Sequence, residues 1–224
     1  MSFADKKLSE IAVSVPGSTS LLRKYDLDFC CGGSDTLAHA AAEKGLNVAE
    51  IETRLTELQN SKAENPEEYW VNATYPEIID HILVRYHQRH REQLQELIVL
   101  ADRVESVHGD RDDCPIGVAA ELRNVYDDLS NHMMKEEHVL FPMIKAGNYM
   151  MAQMPIRMME MEHAEHGEHL DVLKSLTNNM TPPADACNTW RALYSGIQEF
   201  ADDLMMHIHR ENNILFPRVI AENH

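Results

Sequence analysis

Two stretches, HMMKEEHVLFP at residues 132–142 and HIHRENNILFP at residues 207–217, share the pattern H-x-x-x-E-x-x-x-L-F-P. They start 75 residues apart, a distance of about two helices, and read as duplicated halves of one site. On a helix, the i, i+4 spacing puts each His and its Glu on one face, one turn apart. That face is an apolar stripe. One series is Leu122, Val125, Leu129, His132, Glu136, Val139, Met143; the other is Leu193, Ile197, Phe200, Leu204, His207, Glu211, Ile214. Both motifs therefore point into a core. The shared Leu-Phe-Pro reads as a helix stop.

Two more stripes carry histidines near their middle: Leu83, His87, His90, Leu94, Leu97, and Met159, His163, His166, Leu170, Leu173. Long helical patterns run from about Pro76 to Val107, Ile116 to Lys145, Pro155 to Leu176 and Asp185 to Asn213, joined by GDRDDCP, AGNYMMAQ and TNNMTPPADA. The expected fold is all-α, an up-down-up-down four-helix bundle with a small helical region before it. The boundaries fall at 1–60 for that region, 61–74 for a polar linker with two prolines, and 75–224 for the bundle. Within 1–60, Ser18–Tyr25 is a helix, Ser34 or Asp35 caps a second that stops at Gly45, and Asn47 caps a third.

One histidine in a bundle stripe is ordinary core. Four interrupted stripes, two with a Glu one turn on, are not. A buried ionised Glu left unpaired costs about 3–5 kcal/mol, and a metal ion supplies the partner. Spacing alone leaves His87 or His90, and His163 or His166, as the ligands of their helices. Four imidazoles and two carboxylates are too many for one tetrahedral zinc and too rich in nitrogen for Ca²⁺ or Mg²⁺. They suit iron, with manganese or zinc as weaker options, and two facing carboxylates suit two irons, with Glu136 and Glu211 as bridges. Such a centre has positions for water, an oxo or hydroxo bridge, O₂ or NO. The remaining histidines, His39, His81, His108, His169, His209 and His224, read as surface or outer groups, and most of the 13 methionines as core filler.

The other unusual segment is Phe29-Cys30-Cys31-Gly32-Gly33. A vicinal disulfide would be strained, so thiols are expected. A helix beginning near Ser34 would lower their pKa, and the glycines would let a partner or metal approach. This reads as a redox or iron/sulfur-handling loop. Cys114 and Cys187 lie in loops with no assigned role.

Composition narrows the rest. The net charge of −17 disfavours nucleic acid and anionic membranes as partners. The start, MSFADKKLSE, has no apolar signal segment, and no run is long enough to span a bilayer, so a reducing cytoplasm is expected.

These residues resemble a known family. LLRKYDLDFCCGG, IIDHILVRYHQRHREQL, HMMKEEHVLFPMI, MEMEHAEHG and DLMMHIHRENNILFP are similar to the Repair of Iron Centres family, di-iron proteins with a hemerythrin-like domain. The resemblance covers nearly the whole chain. It implies the ligands His87, His132, Glu136, His163, His207 and Glu211, choosing His87 over His90 and His163 over His166. It departs from oxygen-carrying hemerythrins, which have a further histidine where this chain has Gly167. One ligand fewer implies a more open and labile centre. The implied function is repair of iron–sulfur clusters after nitrosative or oxidative damage, by donating iron to damaged or apo proteins rather than by turnover. An NO-reducing enzyme and an O₂- or NO-binding sensor or store are the alternatives. Glu162, beside His163, is a candidate outer-sphere or proton-transfer group. The small N-terminal region leaves room for a homodimer.

Overall fold

The structure, a computed structural model, describes residues 2–61 and 64–222. Lys62 and Ala63, within the expected linker, and His224 lie outside the described residues. The fold is all-α, with no β-structure among the described residues beyond an isolated bridge between Lys7 and Thr36. The chain forms two compact units, residues 1–78 with 206–224, and residues 79–205.

The first unit contains α1 (Leu8–Ser14), α2 (Ser18–Lys24), α3 (Leu37–Glu43), α4 (Val48–Gln59) and α5 (Pro66–Asn72). Leu8, Ile11, Leu22, Leu27, Phe29, Leu37, Ile51 and Leu55 fill its core. Local chemistry sets the ends. Asn47 Oδ1 accepts from the Ala49 amide at 3.1 Å, as expected for α4. The cap of α3 is Thr36, whose hydroxyl accepts from His39 N, and not Ser34 or Asp35. Gly45 ends α3 with φ +63°, a conformation that favours glycine. Helix α5 lies inside the stretch 61–74 expected to be a linker. Asn65 caps it and Pro66 opens it, a pairing that favours a helix start even in a polar sequence.

The second unit holds the long helices. It comprises α6 (Tyr75–Ile82, which enters it at residue 79), α7 (Gln88–His108), α8 (Val118–Lys135), α9 (Phe141–Lys145), α10 (Tyr149–Leu176) and α11 (Asn188–Arg210, which leaves it after residue 205). Helix α7 packs along α8, and α8 along α10. Arg85 and Gln93 hydrogen-bond Asp203, and His90 meets Phe200 edge-on, which pairs the first long helix with α11. Helix α10 starts at Tyr149, before the expected Pro155, and gives up one backbone hydrogen bond as it passes through that proline.

The Leu-Phe-Pro motif does not stop the helices. Each passes through a π turn, Glu136–Leu140 or Glu211–Leu215, and continues as α9 or as α12 (Phe216–Ala221). In each turn, Phe141 or Phe216 donates to the carbonyl of the motif's Glu, five residues back. Pro142 and Pro217 lack an N–H, and their rings clash with a carbonyl four residues back. Widening the turn avoids that clash. The extra residue also shifts the stripe. Val139 is exposed, and Leu140, Phe141 and Ile144 are buried in its place.

Candidate metal centre

In the second unit, His87, His132, Glu136 and His163 are all buried. His87 closes a third π turn, Leu83–His87, and Glu136 opens the second. A side-chain donor atom of Glu136 lies within 4.8 Å of one from His87, and the same holds among His132, Glu136 and His163.

Two outer carboxylates orient the imidazoles. Glu137 Oε1 lies 2.8 Å from His87 Nδ1 and also accepts from Arg91 at 2.8 Å. Glu162 Oε2 lies 3.0 Å from His132 Nδ1, while its other oxygen accepts from Lys135 at 2.6 Å. Ionised carboxylates only accept, so both rings carry a proton on Nδ1, and in the neutral tautomer Nε2 is the lone-pair atom that faces inward. The hydrogen bond from His87, with Arg91 behind it, holds the Glu137 carboxyl down to about 2. The bond from His132, with Lys135, does the same for Glu162. Both outer groups are thus charged at neutral pH.

Glu136 Oε2 sits 3.3 Å from His87 Nε2 and 3.5 Å from His132 Nε2. His163 Nε2 lies 3.1 Å from His132 Nε2. Neither Glu136 oxygen accepts a hydrogen bond among the described residues. A fully buried carboxylate facing the lone-pair side of two imidazoles is unfavourable alone, and a cation between them resolves it. The donor set therefore fits a transition metal bound by imidazole and carboxylate.

His90 and His166 are buried too. His90 Nδ1 is 3.4 Å from Gln93 Oε1, between the Tyr86 and Phe200 rings. His166 meets the His132 ring edge-on.

In the first unit, His207 and Glu211 are buried, with Nε2 and Oε1 3.3 Å apart. The neighbouring His209, read from sequence as a surface or outer group, is completely buried. Asn213 Nδ2 donates to its Nδ1 at 2.8 Å, and Glu67 Oε2 lies 3.4 Å from its Nε2. Arg210 Nη1 pairs with Glu67 at 2.6 Å. Nothing in the motif's spacing reveals this cluster, because its acid comes from α5, 143 residues away from Arg210. Glu137 was likewise missed. Its only trace is its place one residue off the inward stripe, where an outer carboxylate would stand. Glu162 adjoins His163 in sequence but holds His132.

The cysteine loop departs from expectation in two ways. The Cys30 thiol is pushed well up, not down, by its hydrogen bond with Cys31, by burial and by the Asp28 charge. The nearest following helix starts only at Leu37, with Thr36 taking a free amide. The glycines also serve the loop itself: a Cβ at Gly33 would stand 2.6 Å from the Phe29 carbonyl oxygen. The four cysteines stand as thiols, with no disulfide among the described residues.

Fold and site define a class, a helical bundle with buried cation ligands. Residues 78–219 match the family described as the hemerythrin HHE cation binding domain, and residues 4–59 match ScdA_N, a domain of unknown function. A Haemophilus influenzae protein named "Probable iron-sulfur cluster repair protein" is 68% identical over 222 residues, covering 99% of this chain and 100% of the relative. "Iron-sulfur cluster repair protein YtfE" of Musicola paradisiaca is 55% identical, covering 98% of each chain, and the protein of that name from Escherichia coli O81 is 55% identical, covering 99% of each. The chain belongs to the hemerythrin HHE family and, within it, to the iron–sulfur cluster repair proteins.

Proposed function

We propose that the protein restores damaged iron–sulfur clusters by giving up iron held on its bundle. The ligands are His87, His132, Glu136, His163, His207 and Glu211, with Glu136 and Glu211 shared between two irons. Residues 75–224 act as the metal-binding part, and residues 1–60 bring the cysteine loop. One observation carries the reading: the buried Glu136 carboxylate accepts no hydrogen bond among the described residues and faces two imidazoles whose outer nitrogens are fixed by Glu137 and Glu162. The repeated H-x-x-x-E motif and the names of the full-length relatives support the remainder.

The protein's own groups account for both holding and release. Glu137 and Glu162 keep His87 and His132 in the ligating tautomer and orientation. Arg91 and Lys135 hold those carboxylates in place. Gly167 stands one turn past His163 and offers no further donor. Iron is the cargo, and damaged or apo iron–sulfur proteins are the recipients. Iron held by these residues would supply positions for NO or O₂. Cysteines kept as thiols suit a reducing cytoplasm.

The test is iron content of the wild type beside Glu136→Ala and Glu211→Ala, followed by a ferrous chelator and then an apo-cluster protein. Near two irons per chain, lost in the variants and passed to the acceptor without turnover, is the expected result. Iron that resists both chelator and acceptor, with steady NO consumption under a reductant, points instead to an NO-reducing enzyme.

A further inference from the structure

The first unit holds a second group of donors unlike the first. Asp28, Cys30 and Cys31 each place a ligand atom within 4.8 Å of the other two. From this geometry we propose that Asp28, Cys30 and Cys31 form a thiolate–carboxylate site for one divalent transition-metal ion, open on one side and suited to exchange.

The spacing is that of a chelate. Cys30 Sγ and Cys31 Sγ are 3.9 Å apart. Two thiolates at about 2.3 Å from one tetrahedral ion stand about 3.8 Å apart, whereas a disulfide needs about 2.05 Å. The sulfurs thus already have the bite of an ion. Asp28 Oδ1 lies 3.1 Å from Cys30 Sγ, a thiol hydrogen bond that a shift of a few tenths of an ångström turns into shared ligation. Three anionic donors bind a divalent ion with one position left over. Closed structural sites use four protein ligands, and a three-ligand site keeps a place for an incoming group.

The loop is built to hold this arrangement. Asp28 Oδ1 accepts from the amides of Cys30 and Cys31 at 3.0 and 2.9 Å, and Oδ2 from Gly32 at 2.8 Å. Gly33 lets the backbone close tightly on Phe29. Asn212 Nδ2 donates to the Cys30 carbonyl at 3.0 Å, and Asn213 Nδ2 to that of Phe29 at 2.8 Å. Cys30 is buried, while Cys31 is part-exposed and Asp28 exposed, so the site has a wall and an opening. Ligation displaces one proton from each thiol to solvent, so binding weakens as pH falls. Thiolate and carboxylate together suit Fe²⁺ and Zn²⁺ better than Ca²⁺ or Mg²⁺.

The site deepens the proposed iron transfer by supplying a station for a transferable ion, but it stands on its own geometry. The test uses reduced full-length protein carrying Cys114→Ser and Cys187→Ser, titrated with Co²⁺ under argon. Thiolate ligation adds a near-ultraviolet charge-transfer band that imidazole and carboxylate ligands do not produce. The expected result is a band saturating at one equivalent. Cys31→Ser should abolish it, and Asp28→Asn, which keeps an acceptor oxygen for the loop amides, should weaken Co²⁺ binding by more than about tenfold. Circular dichroism confirms that each variant is folded, and Cys30→Ser serves if Cys31→Ser is not. In Glu136→Ala the band should persist, which separates this site from the bundle. No band in the parent, or a band unchanged in Cys31→Ser, would overturn the proposal whether or not the bundle binds iron.

Discussion

The bundle histidines and the cysteine loop handle donor atoms in opposite ways. In the bundle the donors are buried imidazoles and carboxylates, and His87 and His132 are each held from behind by a charged outer carboxylate that is itself tied to Arg91 or Lys135. In the loop the donors are thiols on a short turn, held mainly by backbone amides around one exposed aspartate and by two asparagine side chains. The first arrangement spends burial on fixing geometry. The second keeps one edge in solvent. Burial fixes the geometry of the bundle ligands, and the exposed edge of the loop leaves its thiols within reach of an incoming group.

The largest expected effect tests the scaffold beneath the loop. Arg210→Ala leaves the Glu67 carboxylate buried without its closest cation, and should cost about 3–5 kcal/mol in urea unfolding. A loss below about 1 kcal/mol would mean that the pair is solvated and does not brace the region. The same pair has a pH signature. Burial pushes Glu67 up, but the His209 hydrogen bond and Arg210 outweigh it and leave its carboxyl below the usual value. A depressed carboxylate contributes stability above the unfolded pKa, near 4.3, and loses it as pH falls through the folded value. Urea midpoints of wild type and Glu67→Gln should therefore differ at pH 7 and converge in acid.

Next is Glu136→Leu, which removes a buried carboxylate that accepts no hydrogen bond among the described residues. The metal-free variant should be more stable than metal-free wild type, by about 1–4 kcal/mol, while losing the stabilisation that added iron gives the wild type. Equal response of both proteins to iron would break the contrast between bundle and loop. Smaller still, Glu162→Gln and Glu137→Gln should each weaken iron binding about 10–100-fold by freeing His132 or His87 to reorient, as measured by competition with a chelator. The smallest change is Thr36→Ala, a lost helix cap worth about 1 kcal/mol in the first unit, with iron binding unaffected.

Much of the bundle is legible because burial leaves a period. Leu122, Val125, Leu129 and His132 share a face in sequence and are buried in the structure. The period fails at Val139, since a one-residue insertion in hydrogen bonding leaves no mark in residue type other than the proline three positions on. Helix α5 was hidden for a different reason. Its seven residues have no apolar period, and what buries Glu67 is an ion pair made across 143 residues of chain. His209 was hidden in the same way, by neighbours remote in sequence. Of the two supporting carboxylates, Glu162 stood out in sequence beside His163 although it holds His132, and Glu137, which reaches His87 from another helix, did not.

The π turn at Glu211 has one more consequence. It acts on its helix as a frameshift acts on a message. Every residue after it is turned by about 100° from where a regular α-helix would place it. Asn212 and Asn213 lie within the widened turn itself, and they are the residues that hold the carbonyls of Cys30 and Phe29. The double substitution Asn212→Ala, Asn213→Ala removes both donors without touching Glu211, Cys30 or Cys31. It should leave the cysteine loop without its moorings, which faster alkylation of Cys30 would report.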